Sequence, residues 1–548
     1  MSLRLAFVRG TWSPWWALLT WIVFGVVAVV HAKHLERLER AQRAEQLYMR
    51  ALERIAGRWA GTGRDGAAFG EGHAYARDLD LFGRASLFEL LNTARTEAGE
   101  AMLASWLSRS ADAGEVRARQ TAVEDLRPRL DFREDIAVLA AEGAVSRTGA
   151  LARWAAASPA RFSPILSIVF VASAIVVVVL AVLAWYDVVS WTPLILWLFV
   201  EGVIAWRSKR ALLHIIHEIG KPADDLKILA SLAERVERET FAAARLETTR
   251  AALQGCATAV RQLAKLASLL DSTTHNLFFM PITRALFVPE LIAVAIDRWH
   301  TKHGGDVDGW LRLVGELEVF SALATYAYER PIDPFPEIVD GAVFDAVGVR
   351  HPLIADDVAV PNDVTLGDAA PHVIIVSGSN MSGKSTLLRA VGVNVVLALA
   401  GAPVHASRMA LSVLAIGATL RVDDSLEAGQ SKFYSEILRI KAIVELSRGP
   451  RPTLFLLDEI LHGTNSHDRR IGAEAIVKAL VTNGAIGLVT THDLALTELT
   501  PQLGPAAVNM HFEDRLENGR MVFDYRMRPG IVEHSNALAL MRAIGLDV

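Results

Sequence analysis

Cysteine is nearly absent from this chain, because Cys256 is the single one among 548 residues. One thiol excludes an internal disulfide framework and fits a reducing compartment, where we expect Cys256 to pack as a small apolar residue. An excess of positive charge is also absent, since the formal net charge is −5. Strong nonspecific DNA binding depends on lysines and arginines that neutralise phosphates, so this charge balance argues against it.

Charged residues are missing from two long apolar runs. The run from Trp12 to Val30 approaches the ~20 apolar residues that a helix needs to cross a bilayer, and tryptophans crowd its first half as in an interfacial belt. The run from Ile165 to Tyr186 is longer and also uncharged. We predict a transmembrane anchor over residues 1–32. The tripeptide VHA before Lys33 is also typical of a signal-peptide cleavage site, which is the alternative.

A third apolar run, from Pro193 to Trp206, is shorter and contains Glu201. At a rise of ~1.5 Å per residue it barely reaches across a bilayer. We predict a transmembrane helical hairpin over residues 163–207, and a single span followed by an interfacial helix is the alternative. Glu201 is either a functional intramembrane acid or a residue that faces its partner helix.

Basic residues follow both predicted membrane regions. Lys33, Arg37, Arg40 and Arg43 come after the first run, and the segment RSKR at 207–210 closes the hairpin. The positive-inside bias then places both soluble parts in the cytoplasm. We therefore expect a multi-pass protein of the inner membrane that contacts lipid.

The rest of the sequence divides into a helical part and an α/β part. Apolar residues recur at helical spacing up to the proline-rich segment PIDPFPEIV at 331–339, which marks a boundary. We predict a connecting helix over residues 33–74 and an all-α core, or lever, domain over residues 75–162 and 208–335. The hairpin interrupts that domain, and an α/β domain of the phosphate-binding-loop ATPase class follows over residues 336–548.

A glycine-rich loop, GSNMSGKS at 378–385, lies between the strand-like segment HVIIVS and a run of helix formers. It fits the pattern G-x-x-x-x-G-K-[ST] in its required strand–loop–helix context. The glycines let backbone N–H groups turn toward phosphate, and the helix N-terminus adds partial positive charge. Lys384 can reach the β- and γ-phosphates of a nucleotide, and Ser385 can bind Mg²⁺.

Two further predicted strands end in polar residues. The strand TLFLLDE ends in Asp458, which can hold Mg²⁺, and in Glu459, which is placed to polarise an attacking water. The strand AIGLVTTHD reaches His492, which can sense the γ-phosphate. We therefore predict hydrolysis of ATP with Mg²⁺, and Lys384, Glu459 and His492 are the predicted catalytic residues.

A second anion-binding helix end is predicted in DDSLEAGQSKFYSEI at 423–437, where Gly429 and Ser431 open a helix. A single nucleotide site has no obvious use for a second such helix end, whereas the nucleotide site of an opposing subunit has. We predict a homodimer in which Gly429 and Ser431 complete the nucleotide site of the partner. An ordinary helix cap is the alternative.

These motifs resemble those of the MutS family of DNA mismatch-repair ATPases. GSNMSGKST resembles the family loop GPNMGGKST, DEILHGTNSHD resembles D-E-x-G-R-G-T-S, and TTHD resembles T-H-[YF]. The segment at 78–107 is similar to the start of the family's lever domain. The resemblance implies that the glycine-rich loop binds phosphate, that Ser385 and Asp458 bind Mg²⁺, and that Gly429 and Ser431 act across a dimer. The predicted nucleotide-binding residues of the loop are Gly378, Ser379, Asn380, Met381, Ser382, Gly383, Lys384, Ser385 and Thr386.

The chain departs from the family pattern in several places. Ala359 stands where the family has an aromatic residue that stacks on adenine, which leaves Val360 as the predicted adenine contact. His462 and Asn465 replace the usual Arg and Ser near the acidic pair. There is no room before Tyr75 for the family's mismatch-reading domain, and the predicted hairpin stands where the family inserts a DNA clamp.

The favoured interpretation is a membrane-anchored MutS-like ATPase that closes as a dimer on ATP and moves helical levers. No small-molecule substrate besides ATP is evident. Direct mismatch reading is not expected, but generic DNA binding stays open because two lever arms in a dimer enclose a channel. An ABC-type transporter half is one alternative, since LEAGQS loosely resembles the transporter signature, although three spans line no obvious pathway. A nucleotide-binding membrane scaffold is another, and Glu459 argues against it.

Overall fold

The computed structural model describes residues 14–141, 148–159, 162–219, 223–275, 280–421, 432–461, 464–492, 494–517 and 520–532. The chain separates into two compact units between Ala56 and Gly57. The first unit is one long helix, and the second contains a helical domain followed by an α/β domain.

Helix α1, Pro14–Ile55, continues without a break from the first apolar run into the charged segment that follows it. Its apolar half is uncovered, since Trp15, Trp21 and Phe24 are 74%, 72% and 66% exposed. Within the described residues, two helices are long and apolar enough to cross a membrane: α1, over Leu18–Ile55, and the helix at Ile165–Trp185. The predicted connecting helix to residue 74 stops at Ile55, and the left-handed Gly57 and Gly61 turn the backbone there.

The helical domain is built around one 42-residue helix, α13 (Val288–Glu329), which contacts most of its other helices. Polar side chains cap the N-termini of two of these helices, Thr96 for α3 (Glu97–Ser108) and Asp112 for α4 (Ala113–Leu126). Each side chain accepts a hydrogen bond from the backbone N–H three residues later. The remaining helices are α2 (Leu87–Leu91), α3 (Glu97–Ser108), α4 (Ala113–Leu126), α5 (Leu130–Ala140), α6 (Thr148–Ala156), α9 (Ala223–Glu237), α10 (Ala244–Ala252), α11 (Cys256–His275) and α12 (Met280–Ala285).

Two apolar helices interrupt this domain, α7 (Pro164–Trp185) and α8 (Thr192–Ile219). Ser173 of α7 is hydrogen-bonded to Glu201 and Trp197 of α8, so the helices lie side by side and run in opposite directions. The apolar part of α8, Thr192–Trp206, is shorter than a full span. The helix continues past residue 207, where the hairpin was predicted to end, because the basic segment there keeps a helical pattern. The predicted domain boundaries remain predictions.

The α/β domain contains two sheets. The larger has the strand order β10-β9-β4-β8-β7-β6, and all its pairings are parallel except that of β10 with β9. Its strands are β4 (Val373–Ser377), β6 (Ala415–Thr419), β7 (Thr453–Asp458), β8 (Ile486–Thr491), β9 (Ala507–Glu517) and β10 (Arg520–Pro529). The smaller sheet has the order β1-β5-β2-β3, formed by Glu337–Ile338, Arg408–Leu411, Phe344–Val349 and Asn362–Leu366. In the described part of this domain, four α-helices accompany the sheets: α14 (Lys384–Ala400), α15 (Lys432–Leu446), α16 (Ser466–Thr482) and α17 (Leu499–Leu503).

The larger sheet buries both faces, as parallel strands require. On one face Val373 and Ile375 pack with residues of α15 and α16. On the other face Ile374 and Val376 join a core that runs without interruption into the helical domain. Because the two domains share this core, a shift of the sheet is felt by the helices.

Asp78 connects the two domains by hydrogen bonds. Its side chain is 1% exposed, and one carboxylate oxygen accepts the backbone N–H groups of Leu420 and Arg421 at 2.8 Å each. The other oxygen accepts from the guanidinium of Arg439 on α15. A buried carboxylate with this many donors fixes the segment before α2 against the end of β6.

We expect Asp78→Ala to destabilise the protein by about 2–4 kcal/mol, because two backbone N–H groups lose their acceptor and the half-buried guanidinium of Arg439 loses its only carboxylate partner among the described residues. The matched control is Asp345→Ala, which removes the surface pair with Arg408 at 2.7 Å and should cost about 1 kcal/mol or less. Thermal unfolding of the detergent-solubilised full-length variants measures the difference. Equal melting temperatures for the two variants would contradict this role of Asp78.

Candidate functional site

The glycine-rich loop joins β4 to α14 and curls around the N-terminus of that helix. Gly378 and Gly383 have φ values of 151° and 104°, which glycine adopts readily. Met381 is also left-handed, with φ at 67°, and its side chain is 86% exposed. A non-glycine residue in this region stores strain that is typical of a functional loop.

Lys384 lies in the first turn of α14, with its side chain 4% exposed. Its ammonium group donates to the carbonyl oxygens of Gly378 and Ser379 at 2.8 Å each. Burial lowers the pKa of Lys384, while the carboxylates of Glu459 and Asp458 act in the opposite direction. The lysine is therefore held inside the loop, where the loop's N–H groups and the helix N-terminus also direct positive charge.

Glu459 stands between Lys384 and His492. Its Oε1 lies 3.5 Å from Lys384 Nζ, and its Oε2 lies 3.6 Å from His492 Nδ1. β4, β8 and β7 are adjacent and parallel, so their carboxyl ends bring the three residues to one edge of the sheet. Glu459 has a left-handed backbone, with φ at 47°, which turns its side chain away from the direction of β7.

Thr490 on β8 fixes both acidic residues. In the strand register it stands opposite Asp458, and its hydroxyl donates to a carboxylate oxygen of Asp458. The same hydroxyl accepts the backbone N–H of Glu459 at 3.0 Å. One side chain thereby orients the first acid and holds the strained backbone of the second.

A cavity of about 430 Å³ opens beside the loop. Its walls include the loop residues from Asn380 to Thr386, together with Ala359, Val360, Glu459 and Tyr525. Burial lowers the pKa of His351 to about 4, so this wall residue is neutral at physiological pH. Next to these wall residues in the loop, the hydroxyl of Ser379 is buried and has no hydrogen-bond partner among the described residues. The donors, the orphan hydroxyl and the cavity size fit a bound nucleotide, and Ser385 and Asp458 supply oxygens of the kind that Mg²⁺ prefers.

Tyr525 also stands beside the loop, although no sequence motif predicts it. It has φ at 54° where the pairing of β10 with β9 shifts register, and its ring would lie 3.0 Å from a Cβ added to Gly383. Asn362 of β3 holds this bulge by donating to Tyr525 O at 3.0 Å and accepting from Met527 N–H at 2.6 Å. Tyr525 therefore offers the cavity an aromatic ring from β10, whereas Ala359, where the chain departs from the family pattern, lies in the loop before β3.

The remaining residues that the sequence analysis singled out differ in where they lie. Gly429, Ser431 and His462 lie outside the described residues. Asn465 caps α16 by accepting the N–H of Asp468 at 2.9 Å. Val360 lines the cavity, as do Ser385 and Thr386 at the start of α14. Thr490 escaped prediction because its role depends on strand register, although it stands in the motif TTHD.

The sequence of the domain that carries this site matches a known protein family. Residues 374–547 match the family model MutS domain V. The chain is 30% identical over 246 residues to the DNA mismatch repair protein MutS of Roseiflexus sp. (strain RS-1), which covers 43% of this chain and 22% of that protein. It is 32% identical over 267 residues to the protein of the same name from Natronomonas pharaonis, which covers 47% of this chain and 29% of the relative. The chain thus spans about a quarter of the length of the curated relatives it matches.

We expect Thr490→Val to lower the rate of ATP hydrolysis about 10- to 100-fold, because Asp458 loses its orienting donor and the Glu459 N–H loses the hydroxyl acceptor, keeping only the carbonyl of residue 490 at 3.3 Å. Thr490→Ser keeps the hydroxyl and is the matched control, with activity near that of the wild type. Steady-state phosphate release at saturating ATP and varied Mg²⁺ measures both. Full activity of the valine variant would show that the hydroxyl does not hold the acids.

Proposed function

This chain belongs to the MutS family, and we propose that it is a membrane-anchored ATPase of that family. The observation that carries the proposal is the meeting of Lys384, Glu459 and His492 at one sheet edge, beneath a glycine-rich loop, in a domain that matches MutS domain V. Parallel strands that end together beside such a loop are the arrangement that phosphoryl-transfer enzymes use.

The chemistry follows from the side chains present. Lys384 would exchange its two loop carbonyls for phosphate oxygens, since an ammonium bound to neutral carbonyls gains by binding an anion. Glu459, already 3.5 Å from that ammonium, would accept hydrogen bonds from the attacking water and orient it. His492 on its other side would contact the terminal phosphate. Mg²⁺, when held by Ser385 and Asp458, would neutralise phosphate charge.

We propose that Tyr525 stacks on the base of ATP and replaces the aromatic residue that is missing at Ala359. The ring lines the same cavity as Val360 and Asn380, and Asn362 fixes its backbone from the neighbouring sheet. An aromatic face and a small apolar wall are what a planar base requires. Val360 then contributes an apolar contact, as the sequence predicts.

Nucleotide binding would reach the helical domain through a partly buried polar network. Arg330, at the end of α13, lies 3.2 Å from Asp356, and His405 lies 3.2 Å from the same carboxylate oxygen. Asp356 belongs to the loop that runs from His351 to Val360 along the cavity wall. Burial and the charge of Arg330 lower the pKa of His405 to about 4, so its imidazole is neutral at physiological pH and does not form an ion pair with Asp356.

The same network contacts the loop helix. Asn394 of α14 is fully buried, donates to Arg350 O at 2.8 Å and accepts the N–H of His405 at 2.7 Å. A shift of α14 on phosphate binding would therefore pull on both the cavity wall and the end of α13. Such a connection supports the proposal that ATP drives movement of the helical domain.

The partners of this ATPase are also proposals. We propose a homodimer in which Gly429 and Ser431 reach the partner's nucleotide, as the composition of that loop predicts. The relatives are named for DNA mismatch repair, so duplex, branched and mismatched DNA are the ligands that deserve testing. The exposed apolar surfaces of α1 and α7 support insertion into the inner membrane with both soluble parts in the cytoplasm.

We expect Glu459→Gln to keep ATP binding and to lose hydrolysis, because the amide preserves the shape of the side chain but cannot act as the water's base. Nucleotide affinity by fluorescence titration and phosphate release, measured on the full-length protein with and without each DNA, separate the two effects. Glu513→Gln, which removes a partly exposed carboxylate of β9, is the control. Equal turnover by Glu459→Gln and wild type would refute the proposed mechanism.

Tyr525→Ala should weaken ATP binding by about 1–3 kcal/mol, the worth of stacking a base on an aromatic ring. Tyr525→Phe keeps the ring and should bind ATP as the wild type does. Inorganic triphosphate has no base, so its affinity should be the same for all three proteins. A loss that is equal for ATP and triphosphate would place the effect in the loop instead.

A further inference from the structure

Two glutamates are buried where the hairpin meets the helical domain. Glu201 lies on α8 and Glu290 in the first turn of α13, and each is 4% exposed. Within the described part of the chain, neither has a basic group within ion-pair distance. Burial of an unpaired carboxylate costs several kcal/mol, so such a group takes up a proton or another positive ligand.

Each glutamate keeps one carboxyl oxygen unused. Ser173 donates to Glu201 Oε1 at 2.5 Å, and Trp197 donates to the Ser173 hydroxyl at 3.0 Å. The second oxygen of Glu201 and one oxygen of Glu290 are buried without a hydrogen-bond partner among the described residues. Two orphan acceptors at one helix junction are rare in native structures and call for a bound ligand.

The walls of this junction are apolar. Phe170 of α7 stacks on Phe287 at a ring distance of 4.9 Å, and Val294 completes the cluster. Burial raises the pKa of Glu290, the charge of Arg284 lowers it, and the charge of Glu201 raises it. Ile204 and Ala205 of α8 and Leu291 of α13 pack against the same cluster, so the segments that carry Glu201 and Glu290 meet at this junction.

Besides Arg284, two other charged groups of the described residues near the junction are already bound. Arg298 of α13 donates to Ser167 of α7 at 3.1 Å, and Asp297 accepts the N–H of Phe162 at 3.0 Å. Among the described residues, no cluster of three or more metal-ligating side chains exists. A divalent metal thus lacks the ligands it requires, whereas a proton needs only the two oxygens.

We propose that Glu201 and Glu290 form a proton-binding site, in which at least one of the two carboxyls stays protonated and neutral. Loss of the proton would place two negative charges in an apolar junction and drive α8 away from α13. The site would thereby make the packing of the hairpin on the helical domain depend on protonation. This inference rests on the proposed membrane insertion for its surroundings, and it does not depend on ATP hydrolysis.

A hydrophobic carbodiimide tests the site, because it modifies protonated carboxyls in apolar surroundings. The full-length protein in phosphatidylcholine nanodiscs is treated across a range of pH, and peptide mass spectrometry locates the product. We expect modification of Glu201 or Glu290 at neutral pH that declines as pH rises. In Glu201→Gln, the decline at Glu290 should shift to lower pH by about one unit or more, because the neighbouring charge is gone. Asp308→Asn, which removes an exposed carboxyl of α13, should leave the profile unchanged.

Three outcomes would overturn the proposal. They are a wild type in which neither glutamate is modified, a profile at Glu290 that Glu201→Gln does not shift, and protection by Na⁺ at constant pH, which would assign a cation in place of the proton. Extraction of the protein with alkaline carbonate tests membrane insertion separately. A protein that carbonate removes, but that shows the coupled modification, would reject the insertion and keep the proton site.

Discussion

The placement of Glu459 between Lys384 and His492 is the constraint on which the rest of the structure depends. A carboxylate within 3.6 Å of both groups requires three neighbouring parallel strands to end at the same level. It also requires a left-handed residue after β7, which the Thr490 hydroxyl stabilises from the next strand. The larger sheet holds these groups rigidly in place because both of its faces are buried under helices.

This edge of the sheet is connected to the helical domain by three sets of contacts. A continuous apolar core passes from Ile374 and Val376 into the helices, and Asp78 adds a buried polar joint between them. The network of Arg330, Asp356 and His405 then ties the cavity wall to the end of α13. α13 follows Phe287, which stacks on Phe170 of the hairpin. One 42-residue helix therefore connects the hairpin to the network beside the nucleotide cavity.

The sequence predicted those parts of the site that are contiguous along the chain. The glycine-rich loop, Asp458 with Glu459, and His492 each follow a strand directly, so local pattern was sufficient to find them. Tyr525 and Thr490 act through strand register and a bulge in β10, which only the assembled sheet defines. Arg330, Asp356 and His405 come from three separate segments, and no spacing rule joins them. Helices α1 and α8 each continue from an apolar run into charged residues, and the apolar pattern alone does not mark their ends at Ile55 and Ile219.

The claim at the centre of this account is that ATP moves the helical domain relative to the sheet. Spin labels at Asp308→Cys on α13 and Lys441→Cys on α15 report that distance, and both positions are exposed. Cys256 is fully buried and its pKa is raised to about 12, so it stays unlabelled. In nanodiscs, with Glu459→Gln to retain the nucleotide, the account predicts that Mg²⁺ and ATP shift the distance distribution. An unchanged distribution at saturating ATP would contradict it.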